Sequence, residues 1–480
     1  MKPFAIAAAA LLLLPSLGLA SSTPDPKAID ALVTRHAELN LFTGTVLVAK
    51  AGKTVYSGAY GDANRDYGIP NRLNTRYNIG SIGKTFTATA IMQLVQAGKL
   101  KLGDPIGKYL PDFPHAEKAS ITVQHLLNHS SGLGDYMGHP DYPAKMASIT
   151  AIADILPLIY SEKPLFNAGE RFEYSNSAMV LAGAIIEKVS GLSYPEYLQR
   201  HILAPAGLTE TVLAQEHDVL PNRSIGYSPT AGGGLQANVR TVMPASSDGG
   251  LRTTVSDLLR FDQALYGDKL LNAASRQQMF TPVGPVPFMA SGWFVAEVDG
   301  HRMVGHGGGA PGVSAEFRRY LDDGYTLIVL SNYDLGAAPL TEAIERLLFG
   351  LPYRLPTRVE ADYALAQHFM HAGKAAAALA LFDQLVAGAK PHVPSLYMSA
   401  RLRILGKTEL EQAIAALERY IALAGAGASP PVSAAWWRKG NAHELLGKLT
   451  EARQCYEQAL KLNPEDEEAK RSLAALGNAT

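Results

Sequence analysis

The stretch Ser81-Ile82-Gly83-Lys84 is the most informative in this chain, and it gains its meaning from two distant stretches, Tyr174-Ser175-Asn176 and His306-Gly307-Gly308-Gly309. A Ser-x-x-Lys pattern by itself arises about once by chance in a chain of this length. Three stretches in this order, separated by about one hundred residues each, form a far more specific pattern. Together they indicate a serine nucleophile, the groups that activate it and a glycine-lined strand edge.

Ser81 and Lys84 have the chemistry of a nucleophile and its base. On a helix, residues three apart share one face, so the two side chains would lie one turn apart. A serine hydroxyl is a poor nucleophile until a base takes its proton. A lysine that is neutral for part of the time can take it, and so can Tyr174 as a phenolate or relay. The residues leave open which of Lys84 and Tyr174 is the general base.

The three stretches resemble the motifs of the penicillin-recognising serine hydrolases, which include class C β-lactamases, DD-peptidases, D-aminopeptidases and related esterases. The resemblance implies acylation of Ser81 and an oxyanion hole at the backbone amides of Ser81 and Gly309. It implies that the catalytic residues are Ser81, Lys84 and Tyr174. It also implies that four residues contact the substrate, which are Asn176, His306, Gly308 and Gly309. Asn176 would also hold Lys84 in place.

His306 stands where many relatives carry the lysine of a Lys-Thr-Gly motif, and residues 306–309 contain no hydroxyl. A neutral histidine without a neighbouring hydroxyl is a weak anchor for a substrate carboxylate. We therefore expect uncharged esters or D-amino amides to react faster than penicillins or D-Ala-D-Ala peptides. The direction of Arg302, which could compensate, does not follow from the sequence.

Other catalytic motifs fit less well. A nucleotide-binding P-loop needs glycine at position 78, and a Gly-x-Ser-x-Gly elbow needs it at 79, where the chain has Asn78 and Ile79. His125 and His129 have the spacing of a zinc pair but lack the glutamate of His-Glu-x-x-His, so capping or packing roles are expected. Ser247-Asp248-Gly249 is similar to a Ser-Asp-Asn element but lacks the amide, so a turn is expected there.

The predicted fold class is α+β. Helices are predicted over 28–39, 81–100 and 340–349, and strands over 43–49, 54–60, 291–297, 301–305, 313–321 and 325–331. Strands from both ends of this region would form one β-lactamase-like antiparallel sheet with flanking helices and an inserted helical subdomain. An all-α, tetratricopeptide-like solenoid would follow.

The predicted domains are a signal peptide (1–20), a β-lactamase-related hydrolase domain (21–350), a proline-containing linker (351–358) and tetratricopeptide-like repeats (359–475). The clearest repeat is marked by Trp436, Gly440, Gly447, Ala452, Tyr456, Ala459 and Pro464. Two poorer matches precede it, giving three repeats, the minimum for a solenoid. The repeats either bind a protein or peptide or only stabilise the chain.

The amino-acid composition limits the kinds of partner and cofactor expected for this protein. The 480 residues carry a net charge of −1 and are 18% charged, which gives no indication of nucleic-acid binding. Cys455 is the only cysteine, so an intramolecular disulfide and a cysteine-based metal site are excluded. No cofactor is implied. The leader predicts a periplasmic or secreted protein of bacteria, with no stable membrane span after signal cleavage.

The sequence thus predicts an exported serine hydrolase that works through an acyl-enzyme on Ser81, acting on small esters, amides or D-amino-acid peptides. Two alternatives stay open. One is a DD-carboxypeptidase or β-lactamase that acts on cell-wall peptides or β-lactams. The other is a penicillin-binding-like protein that binds its ligand without catalysis.

Overall fold

A computed structural model describes residues 24–215, 218–238, 244–388, 390–425 and 427–477. The predicted signal peptide lies outside the described residues. The strands are β1 (Gly44–Lys50), β2 (Lys53–Tyr60), β3 (Asp62–Asn64), β4 (Ile69–Pro70), β5 (Tyr77–Asn78), β6 (Val212–Leu213), β7 (Gly226–Pro229), β8 (Leu235–Asn238), β9 (Leu251–Thr253), β10 (Phe294–Val298), β11 (His301–Ala310), β12 (Val313–Tyr320) and β13 (Tyr325–Ser331).

The helices of the first 350 residues surround these strands. They are α1 (Pro26–Glu38), α2 (Gly83–Gln96), α3 (Val123–Leu127), α4 (Tyr142–Lys145), α5 (Ile152–Tyr160), α6 (Asn176–Ser190), α7 (Tyr194–Leu198), α8 (Ala204–Ala206), α9 (Val255–Tyr266), α10 (Ala273–Met279) and α11 (Ala337–Leu348).

One six-stranded antiparallel sheet joins the two ends of this region, in the order β10-β11-β12-β13-β1-β2. The central strands β1 and β13 are apolar on both faces, because helices cover both sides. Leu47 and Ile328 pack into the large core beneath the helical subdomain, whereas Val46 and Val329 pack against α1 and α11. The predicted β-lactamase-like sheet with flanking helices and an inserted helical part is confirmed.

Several elements differ in extent from their predictions. The strand predicted over 291–297 begins only at Phe294, because Ala290 N–H donates to Trp293 O at 2.8 Å and Gly292 adopts a φ of +73° in the preceding turn. The helix predicted over 81–100 ends at Gln96, and Gly98 follows it with a φ of +69°. Strand β11 continues past residue 305 and carries residues 306–309.

Seven helices follow, which are α12 (Arg358–His371), α13 (Ala375–Val386), α14 (Val393–Gly406), α15 (Leu410–Leu423), α16 (Val432–Leu445), α17 (Leu449–Leu462) and α18 (Glu467–Gly477). Small residues let the paired helices approach closely. A Cβ on Gly440 in α16 would lie 2.4 Å from the ring of Tyr456 in α17, which is fully buried. The predicted all-α solenoid is therefore confirmed.

The first 350 residues contact both the segment that follows them and helix α12. Arg35 Nε donates to Pro356 O at 3.1 Å, and His368 Nε2 lies 3.5 Å from a carboxylate oxygen of Asp334. A cavity of about 310 Å³ lies beside these contacts, with Leu39 and Leu365 among its lining residues. The domain boundaries themselves stay predictions.

Candidate active site

Ser81 lies in a 3-10 turn, Gly80–Ile82, that runs directly into α2. The turn presses against strand β11. Gly80 has a φ of +49°, and a Cβ there would lie 2.9 Å from the backbone nitrogen of Gly309. A Cβ on Gly308 would lie 1.9 Å from Ile79 O and 3.2 Å from the Ser81 backbone nitrogen. Glycine at both positions therefore allows the segment that carries Ser81 to lie against the strand.

Lys84 is fully buried at the start of α2 and donates three hydrogen bonds. Its Nζ lies 2.9 Å from Ser81 Oγ, 2.7 Å from Asn176 Oδ1 and 2.5 Å from the backbone oxygen of Asp248. None of the three acceptors carries a charge. A neutral amine has two N–H donors and one lone pair. If Asn176 and Asp248 take both donors, the lone pair is left facing the Ser81 hydroxyl.

Asn176 is the first residue of α6, and the preceding Ser175 is the N-cap, whose hydroxyl accepts from Ala178 N–H at 3.0 Å. The backbone of the segment 174–176 is therefore extended only as far as Ser175. Asn176 Nδ2 donates to Asp135 Oδ2 at 2.7 Å, which leaves Oδ1 facing Lys84. Asp135 therefore fixes the orientation of the amide from behind, and nothing in the sequence pattern identified it.

Tyr174 lies on the opposite side of Lys84, with Nζ 5.0 Å from the centre of its ring. The buried ring of His129 stacks on Tyr174, with centroids 4.4 Å apart. Backbone N–H of Ser175 donates to His129 Nδ1 at 3.2 Å, so Nδ1 is unprotonated. Burial, with Lys84 and His306 adding to it, holds the pKa of His129 well below its usual value. His129 is therefore a neutral platform beneath Tyr174.

His306 points into the same site from β11 and is almost fully buried. Its Nδ1 lies 2.6 Å from Gly307 O, and since a carbonyl only accepts, Nδ1 carries the proton. Nε2, which then has a lone pair, has no partner among the described residues. Burial, together with the charge of Lys84, lowers the pKa of His306 to about 3. His306 is therefore uncharged at neutral pH and offers an acceptor.

For Asp248 the sequence predicted only a position in a turn. Ser246 N–H and Gly249 N–H each donate to the other's backbone oxygen, at 3.0 and 3.2 Å, so the turn over 247–249 is confirmed. The turn brings the Asp248 carbonyl to Lys84. The only sequence signal was the likeness of Ser-Asp-Gly to a Ser-Asp-Asn motif.

Aromatic rings extend from this site to the surface. The ring of Phe172 lies 6.0 Å from that of His129 and 5.0 Å from that of Phe288, whose side chain is 44% exposed. On the other side, Phe294 lies 5.0 Å from His306. A row of aromatic rings thus leads from His129 to the exposed Phe288, and Phe294 packs beside His306.

The remaining candidates lie elsewhere. His125 accepts from Thr122 N–H at 3.2 Å and completes a capping box, the packing role expected for it. Across the described residues, no cluster of three or more His, Cys, Asp or Glu could hold a metal ion. Arg302 donates to Phe280 O at 3.3 Å and is four residues, about 13 Å along the strand, from His306. Arg302 therefore does not supply the missing charge.

Comparison with known proteins agrees with this geometry. A β-lactamase family model matches residues 29–350, which is most of the chain. The chain belongs to the β-lactamase family. Penicillin-binding protein 4* of Bacillus subtilis is 34% identical over 359 residues, covering 69% of this chain and 78% of that protein.

Solved structures show the same relationship. A penicillin-binding protein from Bacillus halodurans aligns with a TM-score of 0.60 and 31% identity over 66% of this chain and 98% of its own. A D-stereospecific amidohydrolase from Streptomyces aligns with a TM-score of 0.59 and 28% identity over 68% and 100%. These two structures show that this chain shares its fold with a penicillin-binding protein and with a D-stereospecific amidohydrolase.

The C-terminal helices have relatives of their own. Tetratricopeptide repeat models match residues 321–394 and 433–466, the first overlapping the end of the β-lactamase match. Such repeats bind proteins or peptides on their concave faces. In the part of the chain that the structure describes, none of the helices has the length and apolar character required of a membrane span.

Proposed function

We propose that this protein is an exported serine hydrolase that forms an acyl-enzyme on Ser81. The observation that carries the proposal is the fully buried Lys84, whose Nζ lies 2.9 Å from Ser81 Oγ and is held by two further acceptors. Burial and fixed acceptors are what a lysine needs to take a hydroxyl proton and return it to a leaving group.

In the proposed reaction, Ser81 Oγ attacks the substrate carbonyl carbon and loses its proton to Lys84 or Tyr174. The new C–O bond places negative charge on the carbonyl oxygen, which the backbone amides of Ser81 and Gly309 would stabilise. Collapse expels an alcohol or amine that takes the proton back. Water then attacks the acyl carbon while the same base takes its proton; the bond from the acyl carbon to Ser81 Oγ breaks, the acid leaves, and the base returns the proton to Oγ.

The proposed substrates are uncharged small esters and D-amino amides. His306 is neutral and has no hydroxyl beside it on β11, so a substrate carboxylate would find no cation there. The aromatic surface at Phe172 and Phe288 favours an apolar substituent instead. The names of the similar D-stereospecific amidohydrolase and of a D-amino acid amidase from Ochrobactrum anthropi, 25% identical with a TM-score of 0.59, support this class.

Steady-state kinetics would test the proposal. We expect p-nitrophenyl acetate and a D-amino-acid anilide to give higher kcat/KM than nitrocefin and a D-Ala-D-Ala peptide. Ser81→Ala should fold and be inactive, while Lys84→Ala and Tyr174→Phe should each slow acylation by about 10²–10⁴-fold. Near-normal turnover by the Lys84 variant would remove the catalytic pair from the proposal.

A second candidate is a DD-carboxypeptidase or β-lactamase. The 34% identity to penicillin-binding protein 4* favours it. A strong preference for nitrocefin or the D-Ala-D-Ala peptide would establish it in place of the first. Covalent labelling by a fluorescent β-lactam without turnover of any substrate would instead indicate a binding protein that does not catalyse.

We also propose that the repeats dock a protein or peptide and that the chain acts in the periplasm or outside the cell. The repeat matches support the first proposal, and the predicted leader with the bacterial penicillin-binding relatives supports the second. N-terminal sequencing of the protein recovered from the periplasm would test export, with cleavage expected near residue 20.

A further inference from the structure

Asp248 places an ionisable group next to the lysine of the site. Its side chain is fully buried. Oδ2 accepts a hydrogen bond from the Tyr136 hydroxyl at 3.0 Å, whereas Oδ1 has no hydrogen-bond partner among the described residues. A buried carboxylate with half of its acceptor capacity unused is costly, so a merely structural residue at this position would more often be neutral.

The backbone of the same residue holds Lys84. Its carbonyl oxygen, 2.5 Å from Nζ, is one of only two protein acceptors other than Ser81 that Lys84 contacts. The charge of the Asp248 side chain therefore acts on an amino group whose acceptors among the described residues are all uncharged. The low dielectric of the buried site strengthens such an interaction.

The groups around the carboxyl show that its charge is variable. Lys84 faces it from α2, Tyr142 from α4 and Tyr194 from α7. Tyr136 faces it from a second 3-10 turn, Tyr136–Gly138, and Asp135 from the N-cap of that turn. Burial raises the pKa of Asp248 to about 6, against the opposing effect of Lys84. The carboxyl thus changes charge near neutral pH rather than far below it.

We propose that Asp248 is a positioning residue that sets the charge state of Lys84, its carbonyl fixing Nζ beside Ser81 and its carboxylate stabilising the ammonium form. This inference rests on the proposed function. It implies that the pH range of activity depends on Asp248 although Asp248 does not touch the substrate. A neutral side chain at this position would remove the negative charge that favours the ammonium form.

The test is the pH profile of covalent labelling of Ser81 by a fluorophosphonate in the full-length protein. Asp248→Asn keeps the backbone carbonyl and the side-chain shape but removes the charge. One limb of the profile should move to lower pH by about one unit, the size of shift that a nearby charge produces. The acid limb moves if Lys84 must be neutral to act, and the alkaline limb moves if it must be charged.

Ser247→Ala is the matched control. It lies in the same turn, is also fully buried, and its hydroxyl only donates to Met179 O at 3.0 Å. Both limbs should stay in place in this variant. A purely structural role for Asp248 would lower the labelling rate at all pH values without moving a limb, and that result would overturn the inference.

Tyr136→Phe is a second variant for the case that Asp248→Asn does not fold. Loss of the Tyr136 hydroxyl leaves the Asp248 carboxyl without its hydrogen bond, so it stays protonated to higher pH and the same limb should move in the same direction. Unmoved limbs here would also overturn the inference. If labelling instead persists in Ser81→Ala, the proposed function fails, which is a different outcome.

Discussion

Gly308→Ala should strongly reduce activity, because the new methyl group has no room. Its Cβ would lie 1.9 Å from Ile79 O, whereas carbon–oxygen contacts in proteins begin at about 3.3 Å. The strand and the turn that carries Ser81 would therefore have to separate by about 1.4 Å. Both contacting partners are backbone, so no side-chain rotation can relieve the clash.

The expected loss follows from the position of the oxyanion donors. A displacement of about 1 Å can lower a rate by about 10²-fold, and loss of one oxyanion donor costs about 10²–10³-fold. We expect kcat/KM of Gly308→Ala for p-nitrophenyl acetate to fall by about 10²–10³-fold. Circular dichroism and thermal unfolding should show a folded protein, because the clash lies at one contact of an otherwise unchanged sheet.

Gly307→Ala is the matched control on the same strand. Its Cβ would lie 3.0 Å from Glu316 Oε1, the end of a flexible side chain that can move away. This variant should keep most of the wild-type rate. Equal activity of the two variants would refute the reasoning that the turn and the strand must touch for the site to work.

Three further predictions concern stability, specificity and modularity. Burial raises the pKa of Asp248 to about 6 in the folded state, above its unfolded value of about 3.9. The contribution of this carboxyl to the free energy of unfolding is therefore fully present below about pH 4 and is lost as the pH rises through about 6. Asp248→Asn should therefore raise Tm more at pH 8 than at pH 4, and an equal change at both would contradict this sign. Phe288→Ala should raise KM for aromatic D-amino-acid anilides more than for p-nitrophenyl acetate, since the ring is exposed beside the site. Equal effects on both substrates would remove Phe288 from the binding surface. Truncation after Pro356 should leave an active hydrolase, because the segment 351–357 is not helical and each side of it has buried cores of its own. Loss of all activity would mean that the repeats complete the site.

The sequence predicted the sheet and the repeats because both have short-range periodicity. Continuous apolar runs mark β1 and β13, alternation marks β12, and turns at 51–53 and 322–324 join β1 to β2 and β12 to β13. The regular spacing of small and aromatic residues marks the repeats. The strand predicted from 291 began late because a local turn, not hydrophobicity, determines where it starts.

The sequence also predicted Ser81 and Lys84 as a pair, because residues three apart on a helix are neighbours whatever the position of that helix in the fold. The residues that surround this pair depend on tertiary packing. Asp248 is 164 residues from Lys84, and its carbonyl reaches Nζ through the packing of the turn over 247–249. The ring of His129 beneath Tyr174 likewise depends on which segments pack together.

The charges of the site were decided by tertiary structure too. A histidine on a strand has no fixed charge in the sequence, and burial beside Lys84 makes His306 neutral. Burial also brings the titration of Asp248 close to neutral pH. Desolvation and charge–charge energies depend on distance and solvent exposure, and both exist only in the folded molecule. The sequence alone sets residue type and spacing, and these determine the available chemistry and the local periodicity.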